Sequence, residues 1–240
     1  MKFIVGLADK YIEINSVYDA LRNFFKDYLV TDVTPDFSVS LNQEDISAEQ
    51  EVTSENQFSP TYLETLALLR KLAEILPSHN RILMHGASIS YNEHAYLFTA
   101  PSGTGKSTHT RLWYQNIPDA KLLNDDSPIV RYIDNKLWVY GSPWSGKTAC
   151  YKNEKHEIAA IVRLSQAPQN HIRRLSTLES YGALHPSFPP GFAYDSTLYE
   201  HIGNIIGECL THTPVFHLQC LELHSLDLKH LRFLEMQLHL

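Results

Sequence analysis

Ala100-Pro101-Ser102-Gly103-Thr104-Gly105-Lys106-Ser107 is the stretch on which the reading of the fold turns. It follows an apolar run, Ala95-Tyr96-Leu97-Phe98-Thr99-Ala100, that reads as a strand, and it leads into Ser107 to Gln115, which reads as a helix. A loop that cradles phosphate needs glycines so that consecutive backbone N–H groups turn inward, a lysine to reach the terminal phosphates and a hydroxyl to hold magnesium. Gly103, Gly105, Lys106 and Ser107 supply these parts, and the helix opening at Ser107 aims the positive end of its dipole at the anion. Ala100 stands where the common G-x-x-x-x-G-K-[ST] pattern has its first glycine, a departure that leaves the cradle intact. Ser102, Gly103, Thr104, Gly105, Lys106, Ser107 and Thr108 are therefore the expected nucleotide-binding residues.

Working outward from the loop, Lys121-Leu122-Leu123-Asn124-Asp125-Asp126 places two carboxylates at the end of a short apolar strand. One is suited to hold magnesium and the other to take a proton. The same three polar residues also make an ordinary turn, so the chemistry depends on the loop upstream. On the other side, Arg81 to Tyr91 reads as a strand carrying His85-Gly86, joined to the Ala95 strand by a turn at Asn92-Glu93-His94. A histidine on an apolar strand is either a packed core residue or a functional one. Further on, Gly141-Ser142-Pro143-Trp144-Ser145-Gly146-Lys147 is a second glycine-bounded loop after a strand. Lys147 there is placed to meet a transferring phosphate or an acidic substrate, or it is a surface lysine on a Pro-Gly turn anchored by Trp144. Trp144, Ser145, Gly146 and Lys147 are candidates for substrate or phosphate contact.

The remaining elements frame this centre. Phe3 to Leu7, Tyr11 to Ile14 and Asp36 to Leu41 read as short strands, Val17 to Leu29 as a helix, and the acidic segment Asn42 to Glu51 as a solvated connection. A helix starts at Ser59-Pro60, carries Leu63, Leu66, Leu68, Leu69, Leu72 and Ile75 at helical spacing, stops at Pro77 and is expected beside the catalytic sheet. Ile129 to Ile133 and Leu137 to Tyr140 form a hairpin around Asp134-Asn135. Ile158 to Leu164 and Ile172 to Leu175 are strands, a proline-rich connection runs through residues 185–190, Ser196 to Leu210 is a helix, and Val215 to Leu223 is a late strand at a sheet edge.

With 240 residues, 43% hydrophobic and 20% charged, the chain has the composition of one folded globular domain with an elaboration. A net charge of -7 argues against a nonspecific nucleic-acid partner. No apolar run approaches the length of a membrane span. Three cysteines without CxxC spacing and no secretory leader point to the cytoplasm, and 13 scattered histidines do not form a metal-ligand pattern.

Taken together, His85-Gly86, the Ser102-Gly103-Thr104-Gly105-Lys106-Ser107 loop and Asn124-Asp125-Asp126 follow the motif order of HPr kinase/phosphorylase catalytic domains, which the chain resembles over about residues 80 to 165. It looks similar to the HPr kinase-like proteins of peptide-modification gene clusters. The resemblance implies an α/β (α+β) fold: a P-loop core of the phosphoenolpyruvate carboxykinase and HPr kinase type, with a mixed central sheet, flanking helices and a small N-terminal α+β elaboration. Residues 1–78 would form the elaboration and 79–240 the core. It also implies ATP and Mg2+ as cofactors, and transfer of the γ-phosphate to a hydroxyl of a peptide, a protein or a small molecule. Asp126 would be the base, Asp125 a metal or positioning group, Ser107 and Asp126 the magnesium ligands, and His85 and Lys106 would lie at the reacting phosphate. Phosphorylase activity belongs to the same family. No nucleic acid and no membrane enter as partners, and either a monomer or a homo-oligomer is compatible. Two positions depart from the family: Tyr140 stands before Gly141 where a glutamate is expected, and Ser127 follows Asp126 where a lysine is common. These departures keep open a second reading, a nucleotide- or peptide-binding module without transfer chemistry.

Overall fold

In Lys2–Leu7 (β1) and Lys10–Asn15 (β2), alternate residues are apolar and buried: Phe3, Val5 and Leu7 on one strand, Ile12 and Ile14 on the other. Ala8 and Asp9 take positive φ between them, the two-residue turn geometry that suits a twisted hairpin. The computed structural model describes residues 1–53, 58–146, 150–188 and 194–220. Its contacts divide the chain into two units, Met1–His79 and Asn80–Leu240.

In the first unit, Leu29–Val30 (β3) and Phe37–Ser40 (β4) complete a four-stranded sheet in the order β3-β1-β2-β4, with β4 parallel to β2. The helix expected over Val17 to Leu29 shrinks to Ala20–Phe24 (α1) and a turn at Lys26–Tyr28, because Leu29 and Val30 leave it to pair with β1. The acidic segment expected as a connection is instead a helix, Gln43–Val52 (α2). Asn42 caps it by accepting from the Asp45 backbone N–H at 2.9 Å while Asp45 accepts from Asn42 in return. Pro60–Ile75 (α3) starts with Ser59 as its cap, and its contacts group it with this unit. Glu64, fully buried on α3, accepts from the Val17 and Tyr18 backbone N–H groups, and Asp45 and Glu49 of α2 pair with Lys71 and Arg70 of α3.

The second unit is built on a mixed sheet. Arg81–Leu83 (β5), Ala87–Tyr91 (β6), His94–Thr99 (β7), Lys121–Asn124 (β8), Ile129–Ile133 (β9), Lys136–Tyr140 (β10) and Lys155–Gln166 (β11) run in the order β5-β9-β10-β11-β7-β6-β8. His171–Arg174 (β12) and Val215–Cys220 (β13) extend it beyond β11, with β13 parallel to β11 and β12 antiparallel to β13. The turns at Asn92-Glu93 and Asp134-Asn135 have positive φ at both residues, as tight hairpins require. Helix Lys106–Asn116 (α4) follows β7 directly, and Thr177–Leu184 (α5) and Ser196–His212 (α6) follow β12. One apolar cluster joins Leu97, Val139, Ile161 and Val215 to α6 through Ile202, Ile205 and Ile206; another joins Phe98, Val162 and Leu164 to Trp113 of α4. No helix among the described residues is long and apolar enough to cross a membrane.

The single strand expected over Arg81 to Tyr91 is two strands. β5 pairs with β9 and β6 pairs with β8, yet the register is continuous: counting from Leu83–Ile129 leads without a slip to Ser88–Asn124. Met84 N–H donates to the Pro128 carbonyl at 3.1 Å and Gly86 N–H to the Asp126 carbonyl at 2.9 Å, bridging the two ladders. One long antiparallel pair, bent at His85–Gly86 and at Asp125–Asp126, thus forms both ends of the strand order. Proline at 128 suits the bend, since it has no N–H to contribute to a ladder.

Candidate active site

The loop after β7 has the backbone its sequence calls for. Gly103 and Gly105 take φ of 78° and 108°, a left-handed region costly for other residues, and Gly105 is the residue from which α4 begins. Ser102, Gly103 and Ser107 are exposed, Thr104, Gly105 and Thr108 partly so, and the Lys106 side chain turns back under the loop and is buried. Its Nζ donates to the Ala100 carbonyl at 2.9 Å and lies 2.9 Å from His85 Nε2.

The bend in the long strand pair brings the other groups here. His85 Nδ1 lies 3.6 Å from Asp126 Oδ1, so Lys106, His85 and Asp126 form a chain of contacts. An ammonium has no lone pair and must donate to Nε2, which leaves His85 neutral with its proton on Nδ1, facing the carboxylate. Burial and the adjacent Lys106 charge hold His85 below its usual value, against the pull of Asp126, with Arg163 adding to the depression. Burial also lowers Lys106, and Asp126 opposes it. Asp126 Oδ2 accepts from the Ser127 hydroxyl at 3.0 Å.

Asp125 points elsewhere. Burial raises its carboxyl, while the Ser107 and Thr110 hydroxyls favour the charged form and the Asp126 charge opposes it. Its Oδ1 is sealed from solvent without a hydrogen-bond partner. A buried orphan carboxylate oxygen beside the Ser107 hydroxyl is a donor set that suits a hard cation. Among the described residues no three His, Cys, Asp or Glu side chains cluster as a protein-only cage. Magnesium held against phosphates does not require one, since it keeps several waters and takes one or two carboxylates.

The second glycine loop is bound to the first by Asn124, which is fully buried. Its amide donates to the Ser142 carbonyl at 2.9 Å and the Trp144 carbonyl at 3.1 Å, and its Oδ1 accepts from the Asp126 N–H at 2.9 Å. Ser142 Oγ donates to the Ser127 carbonyl at 2.6 Å, and Ser127 N–H donates to Trp144 O at 3.2 Å. Trp144 and Ser145, expected as possible contacts, are buried, whereas Gly146 is exposed and a Cβ built on it would stand 3.8 Å from that of Asp126. Lys147 lies outside the described residues. Gly141 is needed for space: a Cβ there would fall 1.8 Å from the Lys152 carbonyl oxygen.

Sequence reasoning singled out the carboxylates and missed what holds them. Asn124 entered as part of a motif, and its role as the clamp between two loops depends on a contact eighteen residues away. Arg163, half-buried on β11, was one residue of an apolar strand, and its cationic interruption of that run was the available signal.

No protein-family model matches the chain, and no curated protein matches it. Among solved structures, the Hpr(Ser) kinase/phosphatase from Coxiella burnetii is similar to it at 11% identity, over 65% of this chain and 98% of that one, with a TM-score of 0.37.

Proposed function

We propose that the chain is an ATP- and magnesium-dependent kinase that transfers the γ-phosphoryl group to a hydroxyl of a peptide, a protein or a small molecule. The observation that carries this reading is the contact chain Lys106–His85–Asp126 beneath a glycine loop at a helix N-terminus. The backbone N–H groups of residues 102–108 receive the β- and γ-phosphates, and Lys106 exchanges a loop carbonyl for a phosphate oxygen. Ser107 and Asp125 would hold magnesium, which would supply charge neutralisation at the transferring phosphate. This assignment moves the metal from Asp126 to Asp125 and leaves Asp126 free for the proton.

Asp126 then takes the hydroxyl proton as the acceptor oxygen bonds to phosphorus, the bond from phosphorus to the β–γ bridging oxygen breaks, and ADP leaves. Neutral His85, with its Nδ1–H toward Asp126, orients the carboxylate, and its Nε2 keeps Lys106 in place. Asn124 and Ser142 hold the Gly141–Gly146 loop against the aspartates.

A second reading, nucleotide binding without transfer, is favoured by Tyr140, which offers no acid before Gly141. The experiment that separates them incubates the chain with γ-labelled ATP, magnesium and a panel of hydroxyl-bearing peptides and metabolites. Lys106→Ala is expected to weaken nucleotide binding. Asp126→Asn should leave binding in place and cut transfer about 10²- to 10⁴-fold, the usual worth of a general base. Transfer that survives Asp126→Asn refutes the mechanism, and tight ATP binding with no transfer to any acceptor supports the second reading.

A further inference from the structure

Arg163 of β11 is in register with Thr99 of β7 on one side and His217 of β13 on the other, and His217 in turn faces Arg173 of β12. Facing residues on neighbouring strands project to one side of the sheet. Two residues earlier the same alignment reads Leu97–Ile161–Val215, all three in one apolar cluster. The row Thr99–Arg163–His217–Arg173 is therefore the next layer on that face, at the end of β7 from which the glycine loop springs. Thr99 precedes Ala100, whose carbonyl holds Lys106, and its methyl carbon stands 3.6 Å from where a Cβ on Gly86 would lie, next to His85.

The row is polar but its charges are unevenly matched. Arg173 is paired with Glu179 at 2.8 Å, and His217 Nε2 shares a hydrogen bond with the Ser165 hydroxyl at 2.8 Å. Arg163 makes no hydrogen bond or ion pair with any described residue, although it is half-buried. Burial lowers its affinity for its proton with no acid to offset it, and its charge disfavours the protonated forms of His85, Lys106 and His217 alike. The Thr99 hydroxyl beside it is fully buried and also lacks a partner. A desolvated guanidinium without a counter-charge is costly to keep, and a carboxylate or phosphate received in its planar fork removes that cost.

We propose that Arg163 is a specificity-determining contact of this site, and that the hydroxyl acceptor carries an oxyanion, a carboxylate or a phosphate, which Arg163 receives. The inference rests on the kinase reading and names the acceptor class it left open. The row lies on the face of the sheet that packs against α6, opposite the face that packs against Trp113 of α4, the helix that follows the nucleotide loop; the oxyanion is therefore assigned to the acceptor. Its hydroxyl reaches Asp126 while its charge rests on Arg163.

The test uses the whole chain saturated with a non-hydrolysable ATP analogue and magnesium, so that the glycine loop is filled. Binding of L-malate and of glycerol 2-phosphate, a carboxylate and a phosphate probe each with a free hydroxyl, is followed by calorimetry. The wild type is expected to bind at least one probe, which identifies the oxyanion. Arg163→Gln should weaken that binding about tenfold or more, the worth of a charge-assisted hydrogen bond, and Arg163→Lys should restore part of it. Affinity for the ATP analogue should stay within about twofold, and the Tm of Arg163→Gln should not fall, because a desolvated charge is removed. The proposal is overturned if neither probe binds, if Arg163→Gln binds as the wild type does, if nucleotide affinity falls as steeply as probe affinity, or if the Tm drops. Failure of the wild type to bind the ATP analogue refutes the kinase reading itself, a separate result.

Discussion

Replacing Asn124 with alanine tests whether the aspartates are held in place or merely lie in a turn. The side chain is fully buried and has two N–H donors and one carbonyl acceptor in use: toward Ser142 O, toward Trp144 O and from the Asp126 N–H. At about 1 kcal/mol net for each hydrogen bond, Asn124→Ala should cost about 3 kcal/mol, more if the two carbonyls it leaves behind find no water. Urea unfolding measures this, and since Trp113, Trp138 and Trp144 all lie beyond residue 79, their fluorescence reports the second unit. With a slope of about 1–3 kcal/mol per molar urea, the midpoint should fall by about 1–3 M. Asn124→Asp keeps the acceptor for Asp126 but turns carboxylate oxygen on two carbonyls in a buried place, so it should cost more than the alanine variant. Asn116→Ala removes an exposed side-chain bond to Leu112 O and serves as the control, with a shift of about 0.5 kcal/mol or less. A loss below about 1 kcal/mol for Asn124→Ala, or an aspartate variant more stable than the alanine one, would refute the clamp.

Two further outcomes follow from the same core. His109 is fully buried, its Nε2 accepts from the Trp113 indole N–H at 3.1 Å, and burial pushes its pKa from 6.5 down to about 4. Between those values the unfolded chain binds a proton that the folded chain refuses, so stability is full above pH 6.5, declines as the pH falls through the window and levels off near 4. The total is about 3 kcal/mol, and His109→Gln should flatten that part of the urea-midpoint profile against pH; an unchanged profile would count against it. Gly141→Ala should lose about 3 kcal/mol or fail to fold because its Cβ meets the Lys152 carbonyl at 1.8 Å, whereas Gly207→Ala on α6, with open space around it, should gain about 0.5–1 kcal/mol; thermal melts of the pair decide, and equal effects would refute the packing argument.

What was legible in the sequence was local. The strand, glycine loop and helix from Ala95 to Asn116 announce themselves because a run of apolar residues, two glycines with positive φ and a helical start are all read over a few residues. The two hairpin turns were legible for the same reason. Helix α2 was missed because its acidic surface gives almost no apolar stripe, yet its start carried a readable signal, Asn42 with Asp45 three residues on; Ser176 and Glu179 mark α5 in the same way. What no local pattern reveals is the bend. Arg81 to Tyr91 reads as one strand because its residues stay apolar through Met84. Only pairing with a second segment some forty residues on, itself interrupted at Asp126-Ser127-Pro128, makes the two halves diverge. His85 and Asp126 come together because both sit in that bend, where the register sets Gly86 against Asp126 and leaves His85 one residue along, within 3.6 Å of the carboxylate. The carboxylates were therefore visible as candidates, but the direction each takes was not: Asp125 turning to Ser107 and Asp126 to His85 is decided by which side of a kinked strand each residue leaves from.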